Sequence, residues 1–492
     1  MVPQRPAEPN WRWWLRTLAL PLALVAIGVL LRSSGTPPFG SDNDEYRLVA
    51  DELLSSGRPV VAGVEATKYP LGYPVVLAAF DRVGLPVTSS AIALNIVLVG
   101  ALAAAVAVLA RAAGPRVAAV PAAVYAVASP GLWGSVFVTM PDLAFVVVSA
   151  LVVWRAGVLV RRGDVGVLAG LVGLATVLKS MGLLVALAAG VAVLFGPRAL
   201  RRLAWMPVAS GLALTAVMAA LVAPYPEHTT GYARTFLLVD PTDDTLGRVS
   251  LIDVVARVGS RAWLVLRDVG FAVVGPDVAT PWSWLVALVL VGAGAWALWA
   301  NPPRRAYVVA FVAIWLPALA VWPYSSVRFQ LPLVPIAAVG VGGLAVAAVR
   351  RGGRVAAVAV VAALAAFLVG SGAQLRRQAE AEAATVGAVA ADTAATAAWA
   401  RSAIPEGDVV ASFAYREVAY RLDRPVVPLG YTGDMERLWG EASAAGARWL
   451  VVMPSLYGAR GALEDRFVTT FADRLRLVHD TATVDTYAVT GS

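Results

Sequence analysis

Apolar residues in this chain group into runs of about 20, and short polar clusters separate the runs. A helix of this length matches the roughly 30 Å hydrocarbon core of a bilayer, because each residue adds about 1.5 Å. The pattern predicts eleven membrane spans, at approximately residues 13–31, 90–110, 117–136, 142–160, 165–178, 181–195, 203–223, 282–300, 306–322, 331–349 and 355–371.

The arginines between the runs predict the direction of each span. Positively charged loops stay on the cytoplasmic side of a membrane. The clusters occupy alternate connections, which predicts a multi-pass plasma (inner) membrane protein with its N-terminus cytoplasmic and its C-terminus outside. These clusters are Arg111 with Arg116, Arg155 with Arg161 and Arg162, Arg198 with Arg201 and Arg202, Arg304 with Arg305, and Arg350 with Arg351 and Arg354.

Three polar segments are long enough to form structure outside the membrane. In the outer loop 32–89, apolar residues recur at near-helical spacing from Asn43 to Ser55, which predicts a helix along the membrane surface. The outer loop 224–281 contains the mixed stretch Ser250–Val274. We interpret that stretch as interfacial because Asp253, Arg257, Arg261 and Arg267 are mixed with its apolar residues. The alternative is a twelfth span, which would invert the tail.

The third segment, residues 372–492, has the composition of a soluble extracytoplasmic domain. After an Ala-rich helix that ends near Ile404, short buried strands alternate with helical segments, which predicts a small α/β domain. The fold class is therefore an all-α polytopic membrane protein, with a membrane domain at 1–371 and an α/β domain at 372–492. The strands are expected at Asp408–Phe413, Pro425–Leu429 and Trp449–Met453, and the helices near Arg416–Leu422 and Met435–Ala445.

Composition excludes several classes of protein. Of 492 residues, 59% are hydrophobic and 15% charged, so a soluble enzyme would expose too much apolar surface. The absence of cysteine excludes disulfides, iron–sulfur clusters and thiolate catalysis, and two histidines exclude a poly-His metal site. The net charge of +8 comes from arginines in the inside loops, which does not indicate a nucleic-acid surface.

Three acidic residues stand directly outside the first span, in the sequence Asp42-Asn43-Asp44-Glu45-Tyr46. In one interpretation they begin a helix, with Asp42 as N-cap and Glu45 as its capping-box partner. In the other interpretation they face a cleft and take part in catalysis. The two interpretations are compatible, because a capping carboxylate can also face a cleft.

Only two of the 40 basic residues are lysines. Lys68 lies in a turn rich in Pro and Gly, and Lys179 divides the apolar region 165–195 near its middle, where a helical hairpin would place it at the outer turn. Each lysine either extends its ammonium group to the membrane surface or binds an anion such as a lipid phosphate.

Three further residues are candidates because they lie at outer ends of spans or in outer loops. Asp142 follows Pro141 at a predicted helix start, where an acid is ordinary, but it can also contact a substrate. Arg328 is either an anchor at the outer interface or an anion ligand. His228, in the second outer loop, is either a solvated histidine or part of the mouth of a cleft.

The order of these motifs resembles the GT-C superfamily of glycosyltransferases. It is most similar to the protein O-mannosyltransferase and aminoarabinose transferase branch, whose members use polyprenyl-phosphate sugars. The resemblance covers roughly residues 10–350, and Tyr69 and Leu71 depart from the usual Lys-Pro-Pro form. It rests on Asp42 with Tyr46, on Lys68-Tyr69-Pro70-Leu71-Gly72-Tyr73-Pro74, on Thr139–Asp142, on Gly170-Leu171 to Gly182, and on Ser326 to Pro335.

This resemblance implies sugar transfer by inverting displacement to an envelope glycan, lipid or protein on the outer face. Asp42 is the implied general base, with Asp44 as the alternative, and a divalent metal between Asp42 and Asp142 stays open. The composition, rich in Ala, Val, Gly and Arg, is typical of a high-GC genome such as that of an actinobacterium, for which polyprenyl-phosphate arabinose and mannose are the candidate donors. The sequence leaves the identity of the sugar open. The implied donor-phosphate ligands are Lys68, Lys179 and Arg328, and the implied substrate-binding residues are Glu45, Tyr46, Tyr73, Asp142 and His228.

Other functions fit parts of the same pattern. A transporter or flippase would need charges near the bilayer midplane, whereas the charges here collect at the outer ends of helices. A non-catalytic scaffold would tolerate loss of the first-loop carboxylates. An enzyme that transfers whole oligosaccharides would share the same architecture.

Overall fold

A computed structural model describes residues 11–32, 40–225 without 62 and 64, 238–275 without 241 and 242, 282–322, and 326–490 without 423, 431 and 454–458. His228 lies outside these residues, so its role stays a prediction. Most of the described chain is helical, as expected. Its helices are α1 Trp11–Arg32, α2 Ser41–Ser55, α3 Gly72–Arg82, α4 Val87–Ala113, α5 Ala119–Ala128, α6 Pro130–Trp133, α7 Asp142–Ala156, α8 Arg162–Leu178, α9 Gly182–Leu194, α10 Trp205–Val222, α11 Leu251–Val273, α12 Ser283–Ala297, α13 Pro302–Val321, α14 Val334–Ala403, α15 Tyr415–Leu422, α16 Met435–Ala444 and α17 Ala459–Thr470.

Every predicted apolar run is helical, but the helices differ in length. Within the described ranges, five segments are long and apolar enough to cross a membrane: Trp11–Arg32, Val87–Ala113, Arg198–Val222, Pro302–Val321 and Val327–Ala403. The last of these contains two of the predicted runs. Others are shorter because Ser129-Pro130, Gly157 and Lys179 interrupt them. Large apolar side chains such as Leu30 and Val355 are about four-fifths exposed, as lipid-facing residues would be.

The long helix α14 contains a break that the arginines mark. Gly353 has φ 59° and ψ −138°, a left-handed conformation that favours glycine. The chain turns there between the last two predicted runs, beside Arg350, Arg351 and Arg354. After the break the helix continues without a loop from the last apolar run to Ala403.

Close helix contacts in the membrane part depend on small residues. A Cβ on Gly294 of α12 would collide with the carbonyl oxygen of Ile336 in α14, and a Cβ on Gly340 would collide with that of Leu290. Small residues let membrane helices approach this closely, because the apolar environment adds little hydrophobic driving force. This pair of glycines sets the crossing of α12 and α14.

Helices α8 and α9 form the predicted hairpin. Lys179 is the C-terminal cap of α8, with extended backbone, and α9 begins three residues later. A side chain at Gly182 would collide with the backbone of Thr176, so the turn requires glycine at that position. The prediction of Lys179 at a helical turn is confirmed.

Residues 409–489 form a five-stranded sheet with helices around it. The strands are β5 Val409–Ser412, β6 Val426–Pro428, β7 Ala447–Val452, β8 Leu475–Asp480 and β9 Asp485–Val489; two small antiparallel pairs precede them, β1 Val60–Val61 with β2 Glu65–Ala66 and β3 Leu238–Asp240 with β4 Asp243–Arg248. The strand order is β6-β5-β7-β9-β8, in which β6, β5 and β7 are parallel and β9 is antiparallel to both of its neighbours. The predicted strands and helices of the tail agree with the corresponding elements to within a few residues.

Helix α2 packs between the tail and the segment that contains α3. Its Leu48 and Val49 share a buried core with Tyr415 and Val418 of the tail. On another face, Tyr46 and Ala50 pack with Tyr73, Leu77, Ala78 and Ala91. The predicted helix is therefore present and is covered on two sides, and its position along the membrane surface stays a prediction.

The prediction that Asp42 caps this helix is wrong. Gly40 occupies the N-cap position, and its φ of 125° again favours glycine. Asp42 lies inside the first turn, and no side chain makes the capping hydrogen bond. The reason is that its carboxylate already binds side chains from distant parts of the chain.

Candidate active site

Asp42 binds two side chains that are far apart in the sequence of the membrane part. Its Oδ1 accepts a hydrogen bond from the Tyr69 hydroxyl, and its Oδ2 pairs with the Arg328 guanidinium. Tyr69 lies in the turn after β2, and Arg328 lies in the 3-10 helix Val327–Leu333 before α14. The first turn of α2 therefore joins two segments that the sequence separates by hundreds of residues.

These partners keep Asp42 ionised. Burial alone would raise the pKa of Asp42, but the charges of Arg328 and Lys68 and the hydrogen bonds from Tyr69 and Arg328 lower it well below its usual value. The side chain is 20% exposed, so it can still reach a ligand. An ionised carboxylate can accept a proton directly, as a general base must.

A second ion pair lies beside the first. Asp142, in the first turn of α7, binds the ammonium group of Lys179 at the α8–α9 turn. Phe329 separates the two pairs, because the Lys179 Nζ is 4.9 Å and the Arg328 Cζ 5.2 Å from its ring centroid. Asp42, Asp142, Lys179 and Arg328 thus form one cluster.

Asp44 and Glu45 face the tail instead of open space. Asp44 is fully buried, and its Oδ2 is 2.8 Å from Nη1 of Arg421. Glu45 is also buried, and its Oε2 is 2.6 Å from Nε of Arg416. Burial raises the pKa of Asp44 more than the charge of Arg421 lowers it.

Tyr46 and Tyr73 lie behind Tyr69. The rings of Tyr46 and Tyr69 stack with centroids 4.8 Å apart, and Tyr73 meets Tyr46 edge-on at 5.5 Å. Tyr73 is fully buried, and burial, with the charge of Asp142, raises the pKa of its hydroxyl. The two tyrosines therefore support the ring whose hydroxyl binds Asp42.

Sequence reasoning missed several residues of this arrangement. Thr139 binds Asn43 through its backbone N–H, 2.9 Å from Oδ1, and fixes α2 to the loop before α7. Arg416 and Arg421 lie on a short, highly charged helix of the tail, a pattern typical of a solvated surface. Tyr69 appeared only as a departure from a motif, although an aromatic residue beside Lys68 was a usable signal.

Three cavities surround the cluster. One of about 260 Å³ is mainly apolar and has Lys68, Tyr69 and Arg416 in its lining. A second of about 280 Å³ is mainly apolar and has Lys179 in its lining. The third, of about 440 Å³, is more open and includes Asp142 and Arg328. Each of the two lysines therefore borders an apolar cavity.

The residues present do not fit the divalent metal that the sequence left open between Asp42 and Asp142. No group of three His, Cys, Asp or Glu side chains that could hold an ion occurs in the described part of the chain. The carboxylates of Asp42 and Asp142 already pair with Arg328 and Lys179. A cation between the two carboxylates would have to displace both of these partners.

Comparisons with known proteins identify the fold. No family model and no curated protein matches the sequence. The structure of ArnT from Cupriavidus metallidurans bound to undecaprenyl phosphate is similar over 98% of both chains, with 14% identity and a TM-score of 0.62. The Archaeoglobus fulgidus oligosaccharyltransferase with Zn and sulfate is similar over 96% of this chain and 73% of that one, with 12% identity and a TM-score of 0.60.

The same archaeal enzyme, AglB, in complex with an inhibitory peptide and a dolichol-phosphate, gives a TM-score of 0.57 at 12% identity. That match covers 98% of this chain and 75% of the other. The fold of this chain is therefore similar to the folds of ArnT and of the archaeal oligosaccharyltransferase.

Proposed function

We propose that this chain is a membrane glycosyltransferase that moves a sugar from a polyprenyl-phosphate donor to a hydroxyl group of an envelope glycan, lipid or protein. The observation that carries the proposal is the ionised, partly exposed Asp42 beside Arg328, in the fold of enzymes whose structures contain undecaprenyl phosphate or dolichol-phosphate. We propose arabinose or mannose as the sugar.

The reaction needs a base and a place for the leaving phosphate. The acceptor oxygen attacks the anomeric carbon as the bond from that carbon to the phosphate oxygen breaks, and the hydroxyl proton moves to Asp42. Attack from the face opposite the phosphate inverts the anomeric centre. Lys68, Lys179 and Arg328 stabilise the charge that develops on the departing polyprenyl phosphate.

The cations beside the cavities support an anionic donor. Lys68 borders the 260 Å³ cavity, Lys179 the 280 Å³ cavity and Arg328 the 440 Å³ cavity. A phosphate would pair with these cations, and the apolar cavities beside the lysines would accommodate a prenyl chain.

Asp42 suits the role of base better than Asp44. Asp44 is fully buried against Arg421, whereas Asp42 is partly exposed and can meet an acceptor hydroxyl. Of the proposed substrate-binding residues, Asp142 borders the 440 Å³ cavity. Glu45, Tyr46 and Tyr73 are buried, so we assign them to holding α2 and Tyr69.

The finer topology belongs to the same proposal. We place eleven spans in the membrane, with the N-terminus cytoplasmic and the tail 372–492 outside as a soluble α/β domain that helps to select the acceptor. The alternation of arginine clusters supports this orientation. A transporter or flippase is not favoured, because the structural neighbours are glycosyltransferases.

Replacing Asp42 with Asn tests the proposed base. We expect transfer to fall at least about 100-fold, the contribution of a positioned base, while the protein stays folded. The assay measures free polyprenyl phosphate released from a panel of lipid-phosphate sugars with candidate acceptors present. Because AglB has a structure with Zn, the panel is run with divalent cations and with a chelator.

The matched control is Asp51→Asn, which changes an exposed acid on the same helix and should retain activity. Full activity of the Asp42→Asn protein would disprove the assignment of Asp42. If the folded wild-type protein releases no polyprenyl phosphate from any donor in the panel, the result would argue against a glycosyltransferase and favour a transporter or a scaffold.

A further inference from the structure

Arg416 of the tail begins a series of contacts that ends at Asp42. Its Nε is 2.6 Å from Oε2 of Glu45, and Oε1 of Glu45 accepts a hydrogen bond of 3.1 Å from the Thr67 hydroxyl. The Thr67 oxygen in turn accepts a 3.1 Å hydrogen bond from the backbone N–H of Tyr69. The hydroxyl of Tyr69 binds Asp42.

Lys68 lies between the two carboxylates that this series connects. Its Nζ is 4.0 Å from Oε2 of Glu45, the same oxygen that Arg416 contacts, and its charge also acts on Asp42. Lys68 is 27% exposed and borders the 260 Å³ cavity, whereas the side chains of Arg416 and Glu45 are at most 5% exposed. Glu45 therefore has two competing cations, one buried and one at the edge of the cavity.

We propose that Arg416 is a positioning residue for sugar transfer: by pairing with Glu45 it leaves Lys68 available to Asp42 and to the donor phosphate. This inference rests on the proposed function. A buried carboxylate needs a cationic partner. Among the described ion pairs, Lys68 is the other cation that reaches Glu45, so without Arg416 it would move toward Glu45 and away from the cavity.

Removing Arg416 and Glu45 separately and together distinguishes this role from simple support of the fold. The probe is undecaprenyl phosphate, whose affinity for the purified protein in detergent is measured by native mass spectrometry. We expect Arg416→Gln to weaken binding by about tenfold, a typical size for the coupling of neighbouring charged groups. Arg416→Lys, which keeps the charge, should bind nearly as well as wild type.

The decisive variant is Glu45→Gln with Arg416→Gln. Removing the charge of Glu45 eliminates the competitor for Lys68, so this double variant should bind the lipid phosphate more tightly than Arg416→Gln alone. Loss of a merely structural contact would not be repaired by removing its second partner. Binding by the double variant that is no better than that of the single one would overturn the proposal.

Arg421→Gln is the matched control. Arg421 lies on the same helix and also pairs with a buried carboxylate of α2, but its partner Asp44 has no contact with Lys68 among the described pairs. We expect a similar loss of thermal stability from both single variants, and weaker lipid binding only from Arg416→Gln. If both variants bound undecaprenyl phosphate equally weakly, Arg416 would serve only to hold the tail in place.

The experiment separates this proposal from the one on which it rests. If the wild-type protein neither binds undecaprenyl phosphate nor releases it from any donor, the proposed function fails first. If the wild type does both and Arg416→Gln behaves like wild type, the role assigned to Arg416 alone is wrong.

Discussion

At the scale of residues, two kinds of donor hold the Asp42 carboxylate. The Tyr69 hydroxyl gives a neutral hydrogen bond, and Arg328 adds a charge. The charge matters more for ionisation, because an opposite charge within a few ångströms can lower the pKa of an acid by about 1–3 units. The two partners therefore have separable effects on pH dependence and on geometry.

Replacing Arg328 with Gln should move the acid limb of kcat/KM upward by about 1–3 pH units. The sign follows from the loss of the positive charge that lowers the pKa of Asp42, while burial, which raises it, remains. The base is then protonated over a wider range of acidic pH, and the rate falls there. The measurement is a pH profile of donor turnover for wild type and variant.

Arg328→Lys provides the comparison for that profile. Lysine keeps the charge, so the acid limb should stay near its wild-type position, although the fixed geometry of the guanidinium is lost. An acid limb that is identical in wild type and Arg328→Gln would show that Arg328 does not control the ionisation of Asp42.

Single residues were predictable where chemistry was unusual for its place in the sequence. Asp42, Lys68, Lys179 and Arg328 stood out because charges beside membrane spans are costly. The pairing of these residues was not predictable, since it depends on how distant helices pack. The ion pair between Asp44 and Arg421 of the tail was not predictable, because an arginine in a soluble segment is ordinary.

At the scale of elements, the crossing of α12 and α14 depends on backbone contact. Gly294 and Gly340 each meet a carbonyl group of the partner helix with no space for a side chain. Van der Waals contact at such crossings is a main source of helix association in membranes. The part of α14 before the break at Gly353 is therefore held to α12 by close contact at two glycines.

Gly294→Ala should destabilise the protein by about 1–3 kcal/mol, the usual cost of overpacking. The expected result is a lower midpoint of thermal unfolding in detergent. Gly292→Ala on the same helix is the control, since nothing lies within 4 Å of its added Cβ, and its midpoint should be unchanged or higher. Equal midpoints for the two variants would mean that the helices separate easily at this crossing.

Each predicted apolar run lies on helical structure, but the pattern did not give the helix lengths, and it did not predict α3. Periodicity does not report where a helix breaks inside an apolar run, as at Ser129 and Pro130 between α5 and α6. The Ala-rich helix of the tail was predicted, and so was the turn at Lys179, because polar residues marked both.

At the scale of the whole molecule, the tail and the membrane part are joined through α2. Arg416 and Arg421 reach two buried carboxylates of this helix, and Leu48 and Val49 share a core with the tail. The composition of the tail predicted an independent domain. The shared core and the ion pairs were not predictable, since each half shows only ordinary surface chemistry in its own sequence.

A chain that ends at Ile404 should be markedly less stable than the full protein. Removing one partner of a buried ion pair costs about 3–5 kcal/mol, and this truncation removes two such partners. The measurement is thermal unfolding in lipid nanodiscs. Adding Asp44→Asn and Glu45→Gln to the shortened chain should recover part of the loss, and an unchanged midpoint after truncation would show that the tail stands alone.

The helix after Gly353 continues without a break into the tail, so a tilt of its membrane part also moves its far end. From residue 354 to Ala403 it is about 75 Å long, well over the thickness of the hydrocarbon core. A span adapts to bilayer thickness by tilting, so a small change of tilt at the membrane becomes a large displacement at the far end. Because that end is fastened to α2, the thickness of the surrounding lipid acts on the same helix that carries Asp42.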